Sequence, residues 1–437
     1  MTGNNSGRWV IALAGVLLQV ALGTVYAWSF FQKPIMEVNN WNNSEVAWAF
    51  SLAIFFLGVA ASWGGIKLPA IGPRKLAMLG GLLYSAGYLV ASWALHQQSL
   101  VLLYIGYGVI GGIGLGLGYV TPVATAAKWF PDKKGQITGM VVMGFGFGAL
   151  VMAKIIAPCL MQWSDGNLVQ VFLAIGLIMG VITLPASYFL VNPPAGFQPV
   201  GYKAVPETAA KTAAANNDGV LPHILSRRFI IMWSIFFFNI TAGIMLIGFQ
   251  SPLFQDLLRQ GYPLDQQNTP ETIAILASAG ATLIAISSIC NGLGRFFWGS
   301  MSDKFGRVTV FRIILGTQVL VFAALIFSQS PIVFSALICY ILLCYGGGFG
   351  TMPSFVLDEF GAAKMSVVYG CILTAWSIAG ICGPQIVAFL KDNFAENAAT
   401  HTFTFASILL VAGFLLTFFF PKKPASLSQE AATGAKS

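Results

Sequence analysis

The sequence is poor in everything a soluble catalyst uses. Charged residues make up 9% of the 437 positions, and only 15 are Asp or Glu. An ordinary water-facing surface cannot be built from so little charge. The six cysteines (159, 290, 339, 344, 371 and 382) lie in apolar segments, with no CxxC pair and no histidine spacing suited to zinc. They read as small packing residues. The three histidines, His96, His223 and His401, are far apart near run ends. No HExxH, GxSxG or P-loop string occurs, which argues against a metalloprotease, a serine hydrolase and a nucleotide-driven pump. No cofactor or metal motif is present, and the chain reads as a non-enzyme. No carboxylate falls deep in an apolar run: Asp358 and Glu359 lie at one end, and Glu37 and Glu45 in the first outer loop.

What is abundant is apolar. Hydrophobic residues reach 57%, with 35 phenylalanines, 48 glycines and a mean hydropathy of +0.77. Runs of about 20 apolar residues fit the hydrocarbon thickness of a bilayer. They fall near 9–31, 46–66, 76–96, 99–124, 137–161 and 168–190, then near 229–254, 272–299, 308–328, 330–355, 366–390 and 402–420. The first is too long for a signal-peptide core and is read as a membrane helix. The expectation is an all-α membrane protein of twelve helices. Residues 1–191 form one six-helix bundle, 192–228 a cytoplasmic linker, 229–421 a second bundle, and 422–437 a disordered tail.

The net charge of +8 could suggest nucleic acid, but its placement does not. Most Lys and Arg fall on one side of this topology. Lys33, Arg259 and Lys391 fall on the other, and Lys154 and Arg295 within the membrane. That asymmetry expects both termini in the cytoplasm. The halves also repeat. GLGYVTP ends at Pro122 and GFGTMP at Pro353, each followed 17 residues later by a glycine, Gly139 and Gly370. Two similar bundles in parallel order suit alternating access around a midplane site. Glycines 108, 112 and 116 step by four, as small-residue faces for close helix packing do, and Gly144, Gly146 and Gly148 act similarly.

Ser287–Arg307 stands out. Asn291 and Arg295 share a helix face, and Arg295 lies eight residues, about 12 Å, inside the Asp303 boundary. A guanidinium at that depth costs about 2.5–3.5 kcal/mol unless it meets a cavity or a partner. An anion site is the functional reading and snorkelling the bland one. Lys154, about 10 Å from the outer surface, carries the same two readings. Tyr119 is either a buried hydroxyl donor to a carboxylate or an interfacial-belt tyrosine. Gln19, Gly23 and Tyr26, then Thr374 and Ser377, form polar stripes, and Tyr340 and Tyr345 lie in the tenth run.

At these residues the chain resembles a major facilitator superfamily transporter. The motif residues Gly299, Asp303, Lys304, Gly306 and Arg307 match that superfamily's loop pattern G-x-x-x-D-R/K-x-G-R/K. The first-half counterpart, from Gly65 to Arg74, has Pro69 at the acidic position. More narrowly, the chain is similar to the oxalate/formate antiporter family and related bacterial monocarboxylate transporters. The likeness rests on Gly118-Tyr119-Val-Thr-Pro122, Lys128–Gly135, Gly144–Gly148, Asn291-xxx-Arg295, and Tyr369-Gly370 with Thr374-Ala375. The resemblance implies a carboxylate held by Arg295 with Asn291 and Tyr119. Oxalate exchangers of that family carry an eleventh-helix lysine after Thr-Ala, where this chain has Trp376. Substitution of a second cation by an indole favours a monocarboxylate, unless Lys154 supplies the second charge. A proton or a counter-anion is the expected coupling partner, and the residues leave symport and exchange both open. An oxalate:formate antiporter is the alternative within the class, and a non-transporting membrane sensor the alternative outside it. The short polar linker leaves no room for a sensor's soluble domain. The chain is expected as an inner-membrane monomer among lipids, binding no nucleic acid.

Overall fold

The computed structural model describes residues 5–130, 134–194, 197 and 221–421. Most of the expected linker, the tail and residues 131–133 lie outside the described residues. Among the described residues, twelve helices are long and apolar enough to cross a membrane. They are α1 (Gly7–Asn39), α2 (Asn43–Ile71), α3 (Pro73–His96), α4 (Leu100–Trp129), α5 (Gly139–Trp163) and α6 (Leu168–Tyr188). The second set is α7 (Arg227–Arg259), α8 (Pro270–Phe305), α9 (Arg307–Phe327), α10 (Pro331–Phe360), α11 (Val367–Asn393) and α12 (Ala395–Phe419).

Several helices outrun the apolar segments that announce them, because polar caps rather than the last apolar residue end them. α1 continues past Pro34 to a left-handed Asn40 (φ 55°), a residue that tolerates that conformation at a helix C-terminus. A capping box between Asn42 and Glu45 then starts α2. Glu37 and Glu45 therefore sit on helices, not in a loop. The extension of α7 brings Asp256 into its last turn. The extension of α8 puts Gly299, Asp303 and Lys304 on helix, so only Gly306 of the expected loop motif is a true link.

The repeat is visible in the backbone and in the pairings. Gly72 (φ 84°, ψ 154°) joins α2 to α3, and Gly306 (φ 85°, ψ 148°) joins α8 to α9. Only glycine takes that conformation without strain. In the first half α1 packs on α5, α2 on α4, and α3 on α6; in the second, α7 packs on α11, α8 on α10, and α9 on α12. The two bundles meet along α2–α11 and α5–α8, with α1 against α7.

Glycines set how closely these helices approach. A Cβ on Gly112 would lie 2.6 Å from the Ala53 carbonyl oxygen, and one on Gly116 2.3 Å from that of Leu57, both on α2. Between the bundles, a Cβ on Gly146 would meet the Gly292 Cα at 2.5 Å, and one on Gly58 the Ser377 Oγ at 2.2 Å. Without lipid-excluded water to drive association, such backbone-level contact is a main source of helix cohesion in a bilayer.

Gly116→Ala is expected to lower stability by about 1–3 kcal/mol, because rigid backbone must move. Gly139→Ala, with nothing within 4 Å of the added methyl, is expected to leave it unchanged or raise it slightly. Thermal unfolding of both variants in detergent checks the contrast.

Candidate functional site

α8 carries Arg295 to the seam between the bundles. Gly294 and Gly350 let α10 lie directly on α8: a Cβ on Gly350 would sit 2.0 Å from the Arg295 carbonyl oxygen, and one on Gly294 2.0 Å from that of Leu343. The Arg295 side chain is 1% exposed. Its Nη1 donates to the Val142 carbonyl oxygen of α5 at 3.2 Å, so the guanidinium reaches across into the other bundle. It lies over the rings of Phe349 (5.0 Å) and Phe145 (5.7 Å). Cation–π attraction of this kind offsets part of the cost of burial, by about 2 kcal/mol where desolvated. Its Nε and Nη2 have no hydrogen-bond partner among the described residues.

Around it stands a closed set of rings, three from each half. Tyr26 comes from α1, Tyr119 from α4 and Phe145 from α5; Tyr345 and Phe349 come from α10 and Trp376 from α11. Trp376 contacts Phe349 at 4.6 Å, Tyr119 at 5.4 Å, Phe145 at 6.0 Å and Tyr26 at 6.4 Å between centroids. The hydroxyls of Tyr26 and Tyr345 share a 2.7 Å hydrogen bond that bridges the halves. Local irregularity aims two of these rings. Tyr26 lies in a tightened 3-10 turn, Thr24–Ala27, and Trp376 follows a break in α11 at Leu373. Gly23 admits the Phe145 backbone to within 2.0 Å of where a Cβ would be.

The residues expected from sequence separate into groups. Arg295, Tyr119, Tyr345 and Trp376 come together in this packed cluster. The Tyr119 hydroxyl is near Arg295 and Tyr369 without a formed hydrogen bond, and the Trp376 indole N–H is likewise unengaged. Asn291 is buried one turn away, but its side-chain oxygen is turned toward Gly346 of α10. Lys154 stands apart. It is exposed and donates to Thr282 Oγ1 at 2.6 Å on the α5–α8 seam, so it adds no second charge to the cluster. The motif residues form a separate cluster at the far end of α8. Arg307 bonds Asp303 (2.6 Å) and Asp358 (2.9 Å), tying the α8–α9 corner to α10. In the first half, where Pro69 replaces the acid, Arg74 instead covers the Tyr188 ring at 4.3 Å.

Phe145 and Phe349 are not singled out by sequence reasoning. A signal exists in retrospect: each is a phenylalanine between two glycines, Gly144 and Gly146 or Gly348 and Gly350. Bulk flanked by bare backbone marks where a ring fills the space that close helices leave.

Twelve helices in two like bundles, with a buried arginine on their shared seam, make up the architecture of the described residues. The sequence profile of the Major Facilitator Superfamily matches residues 11–384 and 268–437, and the chain belongs to that family. It is 26% identical over 424 residues to the oxalate:formate antiporter of Oxalobacter formigenes, covering 96% of this chain and 93% of that one. It is 27% identical to apicoplast pyruvate carrier 1 of Toxoplasma gondii, over 82% of this chain and 71% of that one. Among solved structures, a D-xylose–proton symporter superposes with a TM-score of 0.71 at 15% identity, over 95% of this chain and 98% of that one. Its relatives are transporters, and nothing among them indicates a catalytic family.

Arg295→Lys keeps the charge but loses the planar fork. It is expected to weaken anion binding roughly tenfold or more, the scale of one charge-assisted hydrogen bond of ~1.5–3 kcal/mol. Tyr119→Phe is expected to cost less, about two- to tenfold. Ligand-dependent thermal shift or tryptophan fluorescence of the purified variants measures both.

Proposed function

We propose that the protein is a secondary active transporter for small organic anions, monocarboxylates of the lactate, pyruvate or formate type, working by alternating access. The observation that carries this is the buried Arg295 guanidinium, with two nitrogens unengaged and the unengaged donors Tyr119 OH and Trp376 Nε1 in the same cluster of rings. Donors without acceptors in a dry site suit one carboxylate, which the fork can take through two bonds. The remaining walls are ring faces, suited to a short apolar remainder and unsuited to a second charge. Lys154 faces elsewhere, which favours a monoanion over a dianion.

In the mechanism, the anion reaches Arg295 while the bundles are parted on one side. Neutralising the guanidinium lowers the cost of closing the aromatic rings around it, and the bundles then rock about the seam. Because Arg295 and its partner Val142 belong to different halves, the anion is held at the surface that must slide. Arginine does not release its proton, so the cluster itself supplies no proton carrier. Either the substrate brings the proton or a second anion returns. The basic side, bearing Arg307 and Arg228, is assigned to the cytoplasm of a cell membrane, and the working unit to a monomer.

Oxalate–formate exchange is the second reading, favoured by the activity for which the Oxalobacter relative is named. Uptake of radiolabelled lactate, formate and oxalate into proteoliposomes separates the two. The expected outcome is lactate uptake driven by an inward proton gradient without internal anion. Oxalate uptake that requires internal formate would replace this reading with the exchanger.

A further inference from the structure

Opposite the basic side, the bundles are joined by contacts that the cluster does not use. Lys33 Nζ, near the end of α1, pairs with Asp256 Oδ1 of α7 at 2.7 Å. The other carboxylate oxygen of Asp256 takes Lys391 Nζ of α11 at 2.5 Å. Next to Lys391, Asp392 accepts four hydrogen bonds from the first turn of α2: from Asn43 N (3.0 Å), Asn43 Nδ2 (2.9 Å), Ser44 N (2.8 Å) and Ser44 Oγ (2.5 Å). A carboxylate at a helix N-terminus meets unsatisfied N–H groups and the positive end of the dipole. Both carboxylates belong to the second half, and Lys33, Asn43 and Ser44 to the first.

We propose that Asp256 and Asp392 form a lock across the outer mouth, and that Lys33 is its switched element. The pairing is asymmetric in a way that makes opening reversible. When the bundles part, Lys391 stays with Asp256 because both ride on the second half, so the carboxylate is never left alone. Lys33 leaves with the first half. Glu37, exposed and four residues further along α1, is placed to receive it as an i, i+4 partner. The side chains of Lys33 and Lys391 are 20% and 13% exposed beneath an Asp256 that is 42% exposed, so water reaches the carboxylate first. The lock exchanges one ion pair for another and sets how much of the population is open to the outside.

The lock rests on the alternating-access reading, and its test needs no substrate. Spin labels at Val38→Cys and Leu264→Cys, both exposed and on opposite halves, report the width of the outer mouth. They are placed in the full chain with the six native cysteines replaced, reconstituted in lipid. Asp256→Asn and Lys33→Gln are each expected to raise the ratio of long to short distances about three- to tenfold, the scale of a partly buried ion pair. Lys33→Arg is expected to keep the short distance, Lys391→Gln to change it less, and Glu37→Gln to favour it. Identical distance distributions in wild type, Asp256→Asn and Lys33→Gln overturn the lock. Variants that shift the distances as expected, in a protein whose wild type transports none of the anions above, would instead overturn the substrate reading.

Discussion

The constraint on which the rest depends is a single charge, the Arg295 guanidinium, held out of water at the seam between the two bundles. Among the described residues no carboxylate pairs with it. It is stabilised instead by a backbone carbonyl from the opposite bundle and by two ring faces, one from each half. Each of those contacts is weaker and less committing than a buried ion pair, whose separation costs about 3–5 kcal/mol. A fixed counter-ion would satisfy the arginine and leave nothing for a ligand to do. The arrangement therefore keeps electrostatic demand available at the centre while the fold stays closed.

Closing the fold around that demand needs helices thin enough to bring aromatic side chains from both halves to one point. Gly23, Gly146, Gly294 and Gly350 supply the thinness, and the rings beside them fill the space. This explains why so glycine-rich and phenylalanine-rich a chain is not loosely packed: bare backbone and large ring alternate along α5 and α10. The same thin faces make the seam a surface of carbonyls and methylenes rather than interlocked branches.

Stronger contacts lie at the two ends of the molecule and do different jobs. On the basic side, Arg307 ties α8, α9 and α10 together within one half. The first half lacks the matching acid, and a stacked Arg74 and the Lys128–Asn192 contact (3.0 Å) stand at its corner instead. On the other side, Asp256 and Asp392 reach between halves. A glycine-faced seam with ion pairs across its outer end suits the rocking motion proposed above, with the buried Arg295 between the two bundles.

The number of spans, their order, the repeat and the place of Arg295 along its span were all legible in the chain. Each follows from a local rule: twenty apolar residues cross a bilayer, and a charge eight residues from the boundary is inside it. Which faces turn inward was not legible. In a soluble helix polarity marks the face that meets water, but here lipid and protein interior are equally apolar, so a buried Phe349 and a lipid-facing Phe296 look alike. For that reason the sequence could leave Lys154 between cavity and surface, and only the packing of α5 on α8 turned it outward. For the same reason the six rings around Arg295, and the meeting of Lys33, Asp256 and Lys391 from three distant helices, were decided by tertiary structure alone.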